Sequence, residues 1–119
     1  MARDAALVIT WGGPVTGREG KSLEVFMESL GFYAQRAAEG KISNPEVYLA
    51  EDGSGGMLIL KGKSDVLREL EESDEARKLL IKAHAIVNDL KSHWYLAGDE
   101  EIQRETQFFA EVGNQLGLM

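Results

Sequence analysis

Apolar and polar positions along this chain follow two periods, and the switches between them mark the elements. Ala5-Ala6-Leu7-Val8-Ile9-Thr10-Trp11 is nearly all apolar and stops at Gly12-Gly13-Pro14, the pattern of a strand covered on both faces. Leu23, Phe26, Met27, Leu30, Ala34 and Ala37 then recur at three- and four-residue steps, which predicts a helix with one apolar stripe. Thr16 and Glu19 have the spacing of a capping box at its start, and Gly40 suits a left-handed terminator at its end. Asn44-Pro45 opens a second predicted strand, Glu46 to Glu51. The five residues Asp52-Gly53-Ser54-Gly55-Gly56 are turn-prone, and Met57 to Gly62 forms a third strand. The two strands read as a β-hairpin.

Ser64 is positioned to cap the next helical stretch, with Val66, Leu67 and Leu70 facing inward. Ser73-Asp74 interrupts or restarts it, and Ala76, Leu79, Leu80 and Ala83 continue the apolar face. From about Ile86 the period changes to two. Ile86, Leu90, Trp94 and Leu96 fall on one face, against Val87, Asp89, Lys91, His93 and Tyr95 on the other. This predicts a fourth strand ending near Gly98. The tail from Asp99 to Met119 carries Ile102, Phe108, Phe109, Val112 and Leu116, with Asp99, Glu100 and Glu101 in its first turn, where negative charge suits the helix dipole. A helix this apolar must dock, on its own subunit or on a neighbour.

The order strand, helix, strand, strand, helix, strand predicts an α+β ferredoxin-like βαββαβ sandwich, with an antiparallel four-stranded sheet and an added C-terminal helix. Helices then lie on one face of the sheet only, yet the first strand is apolar on both sides. The other face needs a cover, and a second copy of the chain is the expected one. Residues 1–119 read as a single domain without repeats, low-complexity segments or linkers.

Charge narrows the partners. Twenty acidic against 13 basic residues give a net charge of −7, which repels phosphate backbones and anionic membranes. The apolar first run is too short for a membrane span. The absence of cysteine excludes a disulfide framework and a thiolate metal site. A cytoplasmic location is the simplest reading of that absence. Two histidines without cysteine argue against a metal site, with scattered carboxylates the remaining source of ligands, and no cofactor is expected.

Four features together resemble the dimeric α+β barrel superfamily of ferredoxin-like proteins, above all its small uncharacterised bacterial members. They are the apolar strand ending at Trp11, the glycine-flanked long helix, the Asp52–Gly56 hairpin, and the helix, restart and strand between Leu67 and Leu96. The resemblance implies two sheets packed face to face, with a pocket between each sheet and its own helices. It implies activities ranging from cofactor-free monooxygenation, haem degradation and lactone isomerisation to none known. The haem-degrading members use an Asn–Trp–His set with Asn on the first strand. Here that strand has no Asn, and Asn88, Trp94 and His84 fall on other elements, so that activity is not carried over.

Candidate chemistry is sparse. Gly13 to Ser22 invites a phosphate-loop reading, but the required glycine five positions before Gly20-Lys21-Ser22 is Val15, so the amide cradle is missing. The loop amides and Arg18 are placed to hold a small anion such as a carboxylate, although its glycines equally serve a tight turn. His93 and Tyr95 share a predicted strand face and are the candidate proton-transfer residues if they point into a pocket; a structural or interface role is the plainer alternative. His84 falls where a cation suits a helix C-terminus. Trp11, Tyr48 and Trp94, with Arg18, are candidate ligand-binding residues, and the same aromatics supply core and interface area. The acidic run Asp65 to Glu75 reads as a solvated helix face. The functional expectation is a homodimer with a small-molecule pocket, either an enzyme acting without a cofactor or a non-catalytic ligand-binding or structural module.

Overall fold

The computed structural model describes residues 2–118. Strands β1 (Asp4–Trp11), β2 (Glu46–Leu49), β3 (Gly56–Lys63) and β4 (Lys91–Leu96) form one antiparallel sheet in the order β2-β3-β1-β4. Helices α1 (Glu19–Ala38), α2 (Ser64–Glu72) and α3 (Asp74–Ile86) cross between the strands, and α4 (Asp99–Gln115) follows the last of them. The order of elements is the one the periodicity predicts, and the sheet with its one-sided helices is a ferredoxin-like α+β sandwich.

The register divides the sheet into two faces. Leu7 lies opposite Leu60 on β3 and Trp94 on β4, so these side chains point the same way. With Ala5, Leu58, Tyr33, Ile42 and Leu67 they build the core beneath the helices. Leu60 and Leu67 are the most deeply buried side chains, at 0% and 1% exposure. The alternate residues face away from the helices. Val8 pairs with Ile59 and His93, Ala6 with Lys61 and Tyr95, and Tyr48 with Met57. Among the described residues no element of the chain is packed across the middle of this second face, where Tyr48 and Tyr95 stay more than half exposed.

Local chemistry explains where the elements depart from the predicted bounds. Gly17 adopts a left-handed φ of 87°, and α1 begins two residues later at Glu19. The Glu19 carboxylate therefore accepts from the Gly17 N–H at 3.1 Å, while Thr16 takes no part in a cap. The expected capping box does not form: the helix starts at Glu19 itself, and its carboxylate bonds the N–H of Gly17 rather than that of Thr16. Ser64 is the first residue of α2 rather than its cap. Ser73 does restart the helix, accepting from the Ala76 N–H at 3.3 Å and donating to the Leu70 carbonyl at 2.6 Å. The second strand stops at Leu49, because the Ala50 N–H turns to bond the Gly55 carbonyl.

The largest difference lies between α3 and β4. The helix continues through Ile86 and the strand starts only at Lys91. The intervening residues close a small clasp on the loop after β1. The Gly12 N–H donates to Asn88, the Asn88 N–H donates to Gly13, and Pro14 bridges Val87. Asp89 is held at a left-handed φ of 55°, a conformation that no continuous strand permits. Alternation from Ile86 to Leu90 is thus a coincidence of composition, and the true strand alternates only from Lys91.

Candidate functional site

Helix α1 meets the sheet through Phe26, Leu30, Tyr33 and Ala37. This stripe is turned relative to the expected one. Leu23 and Met27 remain 63% and 58% exposed, and Ala34 faces solvent. Between the first half of α1, the second half of α3 and the far end of the sheet the packing does not close. A cavity of about 310 Å³ remains, floored by Ile9, Trp11 and Leu58 and walled by Phe26, Leu79 and Ile86. Its size falls at the lower end of small-ligand sites, about 300–1,000 Å³. A second hollow of about 250 Å³ adjoins it, shares Trp11, Ser22, Leu49 and Val87, and opens between the Gly12–Pro14 loop and the 50–55 hairpin loop.

One glycine shapes the floor. Gly56 lies opposite Trp11 in the register, and a Cβ there would come within 2.9 Å of the Trp11 ring and 2.8 Å of the Tyr48 carbonyl. The absent side chain leaves the indole room to lie over the end of β3. It meets Phe26 at a centroid distance of 5.9 Å and a tilt of 58°, a favoured aromatic arrangement.

Polar groups in the cavity are few: Glu19, Ser22, Ser29 and Tyr33 among otherwise apolar side chains. Ser29 Oγ donates to the Val25 carbonyl at 2.8 Å, leaving its lone pairs for a guest. Glu19 stands in water at the rim, its acidity increased by the amide hydrogen bonds it accepts, its own and that of Gly17. Tyr33 is 7% exposed. Burial, assisted by the charge of Glu71, pushes its phenol up to about 12, so at neutral pH it stays protonated and keeps an O–H to donate. Sequence reasoning passed over Tyr33, although its place one turn from Leu30 and Ala37 and two turns from Phe26 on one helix face was readable.

That phenol also predicts a pH effect. In the unfolded chain it ionises near 10, and in the folded chain near 12. Between these values the unfolded state has released a proton the folded state keeps, so stability falls as pH rises, by roughly 3 kcal/mol across the window. Denaturant unfolding at about pH 9 and about pH 11.5 should show a shallower decline for Tyr33→Phe than for the wild type. Equal declines would mean that Tyr33 ionises as freely folded as unfolded.

Of the six residues singled out from sequence, only Trp11 lines the cavity. Arg18 sits at the cap of α1, where its guanidinium donates to the Ala85 carbonyl at 2.5 Å and ties α1 to the end of α3. The amides of its loop are engaged as well: Gly12 with Asn88, Val15 with Ile86, Arg18 with Val15, and Gly17 with the Glu19 carboxylate. Trp94 faces the helices, with the Arg68 guanidinium 4.2 Å above its ring, a cation–π contact. Tyr48, His93 and Tyr95 lie on the opposite face, the last two with ring centroids 6.3 Å apart. The sheet therefore separates His93 and Tyr95 from both Arg18 and the cavity. No group of three or more potential metal ligands occurs among the described residues, and none of their helices is long and apolar enough to cross a membrane.

Sheet order and the one-sided helices define a ferredoxin-like α+β fold. No protein-family model matches the chain, and no curated protein matches it significantly. Solved structures do share its fold. SnoaB, a cofactor-independent oxygenase from Streptomyces nogalater, superposes with a TM-score of 0.65 at 14% identity, over 82% of this chain and 96% of its own. A dimeric ferredoxin-like protein of unknown function from Thermobifida fusca gives 0.59 at 13% identity, over 80% and 92%. A dimeric protein of unknown function and ferredoxin-like fold from Bacteroides fragilis gives 0.55 at 13% identity, over 79% and 96%. Likeness at this identity is likeness of fold.

Proposed function

We propose that this chain is a homodimeric binder of a small, mostly apolar molecule, held in each subunit between the sheet and its helices. The observation that carries the reading is the cavity itself. It has an aromatic and aliphatic wall, one buried phenol, two serines, and a carboxylate only at its rim. Such a lining favours a flat or branched hydrophobic guest with one or two oxygens, since a charged guest would be stripped of water without a counter-ion. The homodimer rests on the uncovered sheet face and on the dimers described for the Thermobifida and Bacteroides proteins.

A catalytic reading has one observation in its favour beyond the likeness to SnoaB. Tyr33, which lines the chamber, keeps its phenol protonated at neutral pH, and a protonated phenol can stabilise charge developing on an oxygen within its reach. In this reading the cavity, not the face carrying His93 and Tyr95, is where chemistry occurs. Those two residues belong to the dimer interface.

The binding reading is tested with an uncharged fluorescent naphthylamine dye. Wild-type protein is expected to take up one dye per chain, saturably and with a blue-shifted emission. Ala83→Phe, which places a ring in the cavity from α3, should weaken uptake at least tenfold while the circular dichroism spectrum is kept. Absence of saturable uptake by the wild type, or undiminished uptake by the variant, would refute the proposal.

A further inference from the structure

Helix α4 is the element that the rest of the chain does not cover. None of its residues is buried. Ile102, Phe109, Val112 and Leu116 are 50%, 72%, 49% and 66% exposed, although their steps of seven, three and four place them on one side of the helix. Phe108 flanks that side, and Glu105 interrupts its first half, so the apolar surface is concentrated from Phe108 onward. The helix also stands away from the body. The radius of gyration is 17.0 Å, against about 13.5 Å for a compact chain of this length, and the molecule measures 54 Å by 32 Å by 24 Å.

The root of the helix lies at a corner of the uncovered sheet face. Asp4, on the same side of β1 as Ala6 and Val8, holds the Lys63 ammonium at 2.7 Å. The Ala97 N–H donates to the Asp4 carbonyl, and Gly98, at a φ of 87°, turns the chain into α4 beside the Asp4 carboxylate. The charge of Asp4, and beyond it of Glu101 and Glu100, bears on Lys63. The helix therefore leaves from the edge of the face that a second copy would cover.

Area gives the reason for it to go there. Four strands about 4.8 Å apart and eight residues long at most offer a flat footprint of roughly 500 Å². A stable dimer of ordinary size buries about 800 Å² on each partner. A helix of about 25 Å laid along its neighbour adds roughly 250 Å², which makes up the difference. Packed on its own subunit, α4 would leave the sheet face short by the same amount.

We propose that α4 is an exchanged arm: from the rim of the shared sheet face it crosses to the second copy of this chain and packs its Phe108–Leu116 side there. The proposal rests on the sheet face being the dimer interface, and the experiment separates the two. In sedimentation equilibrium of the full chain, Phe109→Asp/Val112→Asp should weaken self-association at least 30-fold with the circular dichroism spectrum kept. Arg104, the only basic residue of α4, gives trypsin one site within it. Cleavage there should be suppressed at concentrations where the wild type is dimeric and should appear on dilution below its dissociation constant. Association unchanged in the double variant, or cleavage independent of concentration, overturns the arm and leaves the sheet-face dimer standing. A wild type that never associates overturns both.

Discussion

In the proposed sheet-face dimer, Ile59→Asp is expected to yield a folded single subunit in place of a self-associating protein. Ile59 lies at the middle of the uncovered face, opposite Val8 on one neighbouring strand and Glu46 on the other. In a subunit alone its side chain is half-buried, so a carboxylate there keeps contact with water and costs about 1 kcal/mol in strand preference. Between two sheets the same carboxylate is dry, and twofold symmetry sets a second one nearby. Burying unpaired charge costs several kcal/mol for each group, which corresponds to a dissociation constant raised by about a thousandfold or more. Sedimentation across a wide concentration range reads this directly. Glu46 and Lys61, paired at 3.2 Å on the same face, do not rescue the change, because the aspartate would sit beside Glu46 and add to its repulsion. A variant that associates as the wild type does would show that some other surface joins the subunits.

The legibility of this chain divides along one line: what two or three neighbouring residues decide was readable, and what a distant contact decides was not. The first strand, the long helix and the hairpin appeared in sequence because their periodicity comes from a single buried side. The α3–β4 junction was misread because Asn88 is held by the loop after β1, more than seventy residues earlier, through Gly12 and Gly13, and Asp89 follows it in a left-handed conformation. The opposition of Trp94 to His93 and Tyr95 was readable from alternation alone. Which of the two faces meets the helices depends on the register of β4 against β1, and so the sharing of a cavity by His93 and Arg18 could not be judged. Tyr33 went unnoticed because a phenol weighs little in an apolar stripe, yet it is buried among the core residues. The family resemblance implied a pocket between the sheet and its helices, but no residue pattern marks which side chains line it. The cavity arises because Ser22 and Ser29 face inward from α1 where larger side chains would have filled the space.

The rim of that cavity depends on a single hydrogen atom, and Gly55→Ala should show it. Gly55 has a φ of 143°, and a Cβ built on it would lie 2.0 Å from the Trp11 carbonyl oxygen and 2.9 Å from Gly12 Cα. Both are backbone atoms of the strand end, which cannot swing aside as a long side chain does. The hairpin loop would have to lift, and with it goes the bond from the Ala50 N–H to the Gly55 carbonyl at 2.8 Å. Backbone strain at such a φ costs about 1–3 kcal/mol, and the collision and lost bond bring the total to roughly 3–5 kcal/mol, among the larger effects of single substitutions. For a domain of this size that lowers Tm by about 10 °C or more. Gly53→Ala supplies the comparison. Gly53 also has a positive φ, 78°, but nothing lies within 4 Å of its added Cβ, so the loss there is about 1 kcal/mol. Because Trp11 and Leu49 border the same hollow, Gly55→Ala should also weaken dye uptake, and Gly53→Ala should leave it intact. Matching losses of Tm in the two variants would mean that the loop is free to move, and that the close approach of Gly55 to Trp11 does not hold the floor of the cavity in place.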